Sequence, residues 1–275
     1  MRVLGRVVSY FVLVLIGVLG LAPFVYLLVL SFKSQLELLD VPPSLHFDWA
    51  TIKENYSTVI HDQQYPTFVK NSIIVTGVST LVALALGVPA AYAFSRLRFR
   101  GSDTWGSTIL SFRFMPPIAV AIPIFLMIQQ LDLVNSYFGL VLPYIAFTLP
   151  LVIWIMIGFF DEIPREIDEA ALVDGLTRPQ VLFRVLLPLV RPGILVAATF
   201  GIIFIWNEFL VGLFIISSTD RETIPIAASS LLTVESPIQY NLAAVVGVLT
   251  VIPVLFFAIL VQRYIVRGIT AGAVR

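Results

Sequence analysis

The chain has 275 residues, of which 59% are hydrophobic and only 12% charged, and its mean hydropathy is +0.97. That is about half the charge of an ordinary soluble domain, too little for a water-facing surface, and the apolar excess is the reverse of what a disordered chain carries. The 17 basic and 17 acidic residues cancel, which argues against a nucleic-acid partner, and the absence of cysteine excludes disulfides and thiolate metal sites.

A helix needs roughly 20 mostly apolar residues to cross about 30 Å of hydrocarbon. Six windows meet that requirement, at 8–31, 72–94, 105–128, 137–160, 193–216 and 242–261. The expected fold class is all-α integral membrane, one domain over 1–275 with six spans. The first window begins with Arg2 and Arg6, as a signal peptide would, but its apolar run continues to Leu30 and no A-x-A site follows. It reads as a retained span.

Basic residues accumulate on the cytoplasmic side of a membrane protein. With the N-terminus inside, the inner segments hold Arg2, Arg6, Arg96, Arg98, Arg100, Arg165, Arg178, Arg184, Arg191, Arg263, Arg267 and Arg275. The outer segments hold only Lys33, Lys53, Lys70 and Arg221. Both termini are therefore expected in the cytoplasm. Of the outer loops, the long one at 33–70 is expected to be partly structured on the membrane surface. It contains Asn55-Tyr56-Ser57, an N-glycosylation pattern short enough to arise by chance.

The inner loop 161–192 carries a pattern of its own, DEIPREIDEAALVDGLTRPQVLFRVLLPLVRPG. Pro164 suits a first helical turn, and Asp161, Glu162, Glu166, Asp168 and Glu169 crowd the half where a helix dipole favours anions. Gly175 would stop that helix in a left-handed turn. Thr177 and Gln180 form a capping box that opens a second short helix, and Pro188 and Pro192 mark re-entry into the membrane. Periodicity alone leaves two readings open: a solvated loop, or a docking knob in which Ala170 and Ala171 admit another backbone closely.

Glu169-Ala170-Ala171, Gly175 and Val185-Leu186-Leu187-Pro188 match the pattern E-A-A-x3-G-x9-I-x-L-P, with Val in place of Ile. The chain resembles the membrane subunits of binding-protein-dependent ABC importers, and its position before the penultimate span agrees. Asn71-Ser72, Met115-Pro116, Trp206-Asn207-Glu208 and the ending Gln262-Arg263 … Gly268-Ile269-Thr270-Ala271-Gly272 extend the resemblance to the carbohydrate-uptake branch. The run Arg113-Phe114-Met115-Pro116-Pro117 is closer to permeases for polyols and small sugars.

The resemblance implies a multi-pass permease in a prokaryotic cell membrane, taking up a sugar-like solute. Glu169, Ala170, Ala171, Asp174, Gly175, Leu187 and Pro188 would belong to the coupling segment that fits a cleft on an ATPase. The implied partners are a homologous permease, two ATPases and an extracytoplasmic solute-binding protein. No cofactor is expected on this chain, since ATP and Mg²⁺ would sit on the ATPases.

The absent motifs agree. A P-loop needs Gly-x4-Gly-Lys-Ser/Thr, and the only lysines, Lys33, Lys53 and Lys70, lack such glycines. No G-x-S-x-G or H-E-x-x-H is present, so the chain is not expected to be an enzyme. A secondary transporter or channel for a small polar solute is the alternative, but no three-plus-three repeat is visible. Gly77, Ala83, Ala85, Gly87, Ala90 and Ala91 on the second span read as helix packing.

Arg113 and Glu208 are charges inside expected spans, and such charges face a partner or an aqueous cavity. With Pro116, Trp206 and Asn207 they are candidates for the translocation path, Arg113 donating to solute hydroxyls and Glu208 accepting from them. Two plainer readings stand beside this one: Arg113 snorkels to the interface, and the 206–208 turn packs against the partner permease. The orientation itself has a direct check, because the chain has no cysteine. A cysteine at Ser218 should react with an impermeant maleimide in intact cells and one at Thr177 should not; the reverse pattern would overturn the arrangement.

Overall fold

The structure, a computed structural model, describes residues 2–40, 46–62, 64–97, 99, 101–112, 115–230 and 239–272. Every regular element among them is a helix. In order these are α1 (Arg2–Ser31), α2 (Trp49–Ser57) with a π-helical turn at Thr58–Asp62, α3 (Tyr65–Arg96), α4 (Ser102–Ser111), α5 (Pro117–Gln130) and α6 (Tyr137–Asp161). Then come α7 (Arg165–Val173), α8 (Arg178–Gln180), a π-helical stretch (Val181–Leu186), α9 (Leu187–Leu189) and α10 (Arg191–Trp206). Last are α11 (Leu210–Ile215), α12 (Ile224–Ser230) and α13 (Tyr240–Gly272). The helical content follows from the composition, since lipid offers the backbone no partners and each span must satisfy itself.

Among the described residues, four helices are long and apolar enough to cross a membrane: Arg6–Ser31, Tyr65–Arg96, Tyr137–Asp161 and Tyr240–Leu260. A bent pair ending at Trp206 makes a fifth if it counts as one span. The expected span 105–128 is not one helix. The chain leaves α4 after Ser111 and re-enters helix at Pro117, with Pro116 extended at φ −60°, ψ 125°. Two consecutive prolines remove two backbone donors and push the preceding residue out of the helical region. The expected span 193–216 is also interrupted, between Trp206 and Leu210.

The chain divides into two compact units, Met1–Pro66 with Ala227–Pro253, and Thr67–Ile226 with Val254–Arg275. In the first, α1 is exposed along most of its length. Its last turn is closed from outside the helix: Asn55 of α2 donates to the carbonyls of Ser31 and Lys33 at 3.0 and 2.8 Å and accepts from Asn241, at the head of α13, at 2.9 Å. The amide that a glycan would need at Asn55 is thus buried and already bonded.

The second unit holds two apolar clusters. One joins Ala83, Ala91 and Tyr92 of α3 to Val152, Met156 and Phe160 of α6, to Ala171 of α7 and to Val181 and Leu186 beyond it. The other joins Val75, Ala121, Leu140, Tyr144, Ile205 and Val211. Among the small residues expected to pack on α3, Ala83 and Ala91 are fully buried, and a Cβ at Gly87 would lie 2.6 Å from Val152. Gly77 faces open space and Ala85 is exposed. At Gly193 α10 approaches α6 closely: a Cβ there would lie 2.4 Å from the Phe159 ring. Gly193→Ala should therefore cost about 1–3 kcal/mol and lower the unfolding midpoint in detergent, while Gly77→Ala should leave it in place; equal midpoints would refute this packing.

Candidate coupling segment and membrane cavity

The segment after α6 is built from its local sequence. Pro164 precedes α7 in extended conformation rather than sitting inside its first turn. Glu166 and Asp168 occupy that turn, where the dipole favours them. At the other end Gly175 takes φ +86°, donating to Leu172 O at 3.0 Å, and Leu176 donates to Ala171 O at 3.1 Å. This pair of bonds is a Schellman closure, and the left-handed residue at its centre is why glycine stands there. The next turn opens with Thr177 N–H donating to Gln180 Oε1 at 2.8 Å.

One face of α7 is buried and the other is open. Ala171 lies in the apolar cluster, whereas Glu169, Ala170, Asp174 and Gly175 are exposed. Leu172 is 39% and Val173 87% exposed, an apolar edge beside the carboxylates. Leu187 packs partly against the same cluster and Pro188 is exposed. Arg178–Leu189 then meets Arg191–Trp206 at 80°, the corner falling at Val190 between Pro188 and Pro192.

A residue not anticipated as part of the site fixes α7. Arg96, the last residue of α3, donates through Nη2 to the carbonyls of Phe160, near the end of α6, and Ile163, just beyond it, both at 2.7 Å. Its Nε lies 3.0 Å from Asp168 Oδ2, and the two side chains are 5% and 13% exposed. Nearby, Ser95 donates to Asp161, and Arg165 donates to Ser95 O at 3.3 Å. Burial pushes the Asp168 carboxyl above the ordinary aspartate range, against the lowering pull of Arg96 and Arg165.

Toward the middle of the unit lies a cavity of about 500 Å³. Phe112 and Met115 border it from the α4–α5 break, Ala146, Phe147 and Pro150 from α6, and Phe204, Glu208 and Val211 from the α10–α11 break. Of the expected path residues, Glu208 lines it. Its carboxylate accepts from Tyr144 Oη at 2.6 Å and from the N–H groups of Val211 and Gly212 at 2.9 and 3.2 Å. Trp206 is 5% exposed and away from the cavity lining, and Asn207 is exposed with Nδ2 donating to Ile203 O at 2.7 Å. Pro116 caps α5 beside the lining residues, and Arg113 lies outside the described residues.

The family model for the binding-protein-dependent transport system inner membrane component matches residues 83–271. The chain belongs to that family. It is 33% identical to a trehalose/maltose transport system permease protein of Thermococcus litoralis, over 100% of this chain and 98% of that one. It is 32% identical to a trehalose transport system permease protein of Mycobacterium tuberculosis, over 93% of each. In fold it is similar to a chain from a bacterial ABC transporter involved in the import of the acidic polysaccharide alginate, with a TM-score of 0.78 and 24% identity over 96% of both chains. The protein is thus a multi-pass transport permease, and the matched range contains α7, the 80° corner and the cavity.

Within this permease the tie through Arg96 has a measurable consequence. Removing one partner of a buried pair costs on the order of 3–5 kcal/mol. Arg96→Met should speed hydrogen–deuterium exchange across 161–176 while leaving 137–150 unchanged. Unchanged exchange in the first peptide would mean that the apolar face around Ala171 holds α7 without the ion pair.

Proposed function

We propose that the chain is one permease subunit of an ATP-driven importer for a sugar or sugar-like solute, and that α7 is the element a separate ATPase subunit grips. It has six spans in this reading, with α4 and α5 together forming the third and α10 and α11 the fifth, and both termini lie in the cytoplasm. A homologous permease, two ATPases carrying ATP and Mg²⁺, and an extracytoplasmic solute-binding protein complete the assembly.

The observation that carries the coupling role is the two-sidedness of α7. Its inner face is locked to α3 and α6 through Ala171 and the Arg96–Asp168 pair, and its outer face presents Glu169, Ala170, Leu172 and Val173. An apolar edge beside carboxylates suits a protein partner rather than water alone. A push on that face reaches the ends of two spans directly. The sugar reading is supported by relatives named for trehalose and maltose, and by the rings of Phe112, Phe147 and Phe204 around a cavity of about 500 Å³, a size ordinary for small-molecule sites.

The test reads the ATPase contact. Gly175→Val forces a β-branched residue into a left-handed conformation that costs it about 1 kcal/mol or more, and Glu169→Lys reverses a charge on the open face. Both variants should insert normally yet recover less ATPase on co-purification and hydrolyse ATP more slowly as a complex. Normal recovery and hydrolysis in both would exclude α7 as the coupling element.

A further inference from the structure

The two breaks beside the cavity differ in origin. Pro116 and Pro117 account for the first, but Asn207, Glu208 and Phe209 contain neither proline nor glycine, so nothing in the covalent backbone compels the second. In an unbroken helix the N–H groups of Val211 and Gly212 would donate to the carbonyls of Asn207 and Glu208. Here both end on the Glu208 carboxylate instead. Phe209, at the N-cap position, has no side-chain acceptor to offer, and Glu208 supplies one from the residue before it. The same carboxylate receives the Tyr144 hydroxyl from α6, and Gly212 leaves room for that approach, since a Cβ there would lie 3.0 Å from Tyr144 Oη.

We propose that Glu208 is a positioning residue: its carboxylate, braced by Tyr144, holds the break in the fifth span open beside the cavity rather than serving as a ligand for the solute. Three donors occupy its two oxygens, and withdrawing it from them toward a solute would strand two backbone N–H groups and a buried phenol. Tyr144 is 1% exposed and does not border the cavity, so it acts on the cavity only by way of Glu208. The inference rests on the reading of the cavity as solute path only for its meaning in transport. The break itself is measurable without any solute, so that reading and this one can fail separately.

The experiment uses the full transporter complex. Hydrogen–deuterium exchange of a peptide covering 207–213 should quicken about tenfold in Glu208→Ala, the scale set by losing one net hydrogen bond. Glu208→Gln should fall between wild type and Glu208→Ala, because an amide oxygen in the Oε2 position keeps the Gly212 N–H and the Tyr144 hydroxyl while the amide nitrogen leaves the Val211 N–H without an acceptor. Tyr144→Phe should also fall between wild type and Glu208→Ala and add nothing in the Glu208→Ala background. In parallel, Ala146→Cys places a single thiol on the cavity wall of a chain without cysteine. Its rate of modification by a charged methanethiosulfonate should change several-fold in Glu208→Ala and by less in Tyr144→Phe and Glu208→Gln. Wild-type exchange and labelling in Glu208→Ala would overturn the proposal. So would a Glu208→Gln variant as disturbed as Glu208→Ala, since the two bonds that the amide oxygen keeps would then hold nothing in place.

Discussion

The arrangement of the α7 end depends on how one guanidinium at the end of a span is satisfied. Arg96 sits where α3 stops, nearly without solvent contact; its Nη2 donates to the carbonyls of Phe160 and Ile163, and its Nε lies 3.0 Å from Asp168 Oδ2. A charge so placed is tolerable only beside an opposite charge, and α7 supplies it. That anchorage and the burial of Ala171 together tie α7 to the ends of α3 and α6. The opposite end of the same unit uses the same device with a neutral group. Asn71 donates to the carbonyls of Asp220 and Glu222 at 3.0 and 2.8 Å and accepts from Tyr137 at 2.7 Å, so a loop between helices is held from the side of α3. Asn55 does this for the last turn of α1.

Interruptions of the spans obey the same accounting of backbone groups. Where proline removes a donor, as at Pro116 and Pro117, the break is written in the covalent chain. Where no proline stands, as at 207–209, a side chain must take over the acceptors that the helix has given up, and Glu208 does so. The two kinds of break face one cavity from α4–α5 and from α10–α11.

This contrast explains what could be read from the sequence. Apolar length located the four long helices but not the interruptions of the other two expected spans, and Gly175 and the Thr177–Gln180 box gave the turn after α7, because each rests on a local conformational rule. Which way a side chain faces does not. Trp206, Asn207 and Glu208 fall within one turn, yet successive helical residues point about 100° apart. One enters the core, one is exposed and one lines the cavity. Arg96 read as one more inner-side positive charge, and Asp168 as one of five acidic residues, because their pairing joins positions 72 residues apart in the chain. Exposed Val173 gave no signal either, since an apolar residue in an amphipathic helix is ordinarily the buried one.

The strengths of these ties decide where the permease yields when α7 is displaced. Disrupting the buried Arg96 pair costs on the order of 3–5 kcal/mol, and the apolar packing of α6 against α3 and α10 adds to it, so that end moves as a block. The break at 207–209 is held by three hydrogen bonds of which each contributes about 1 kcal/mol net. The break at Pro116 and Pro117 lacks two backbone donors altogether. Under the proposed coupling role, a push on α7 is carried by the tied end and taken up where the helices are already interrupted. Those places border the cavity. In that reading the permease needs no flexible lever between α7 and the cavity, because its least firmly held points already lie at the cavity wall.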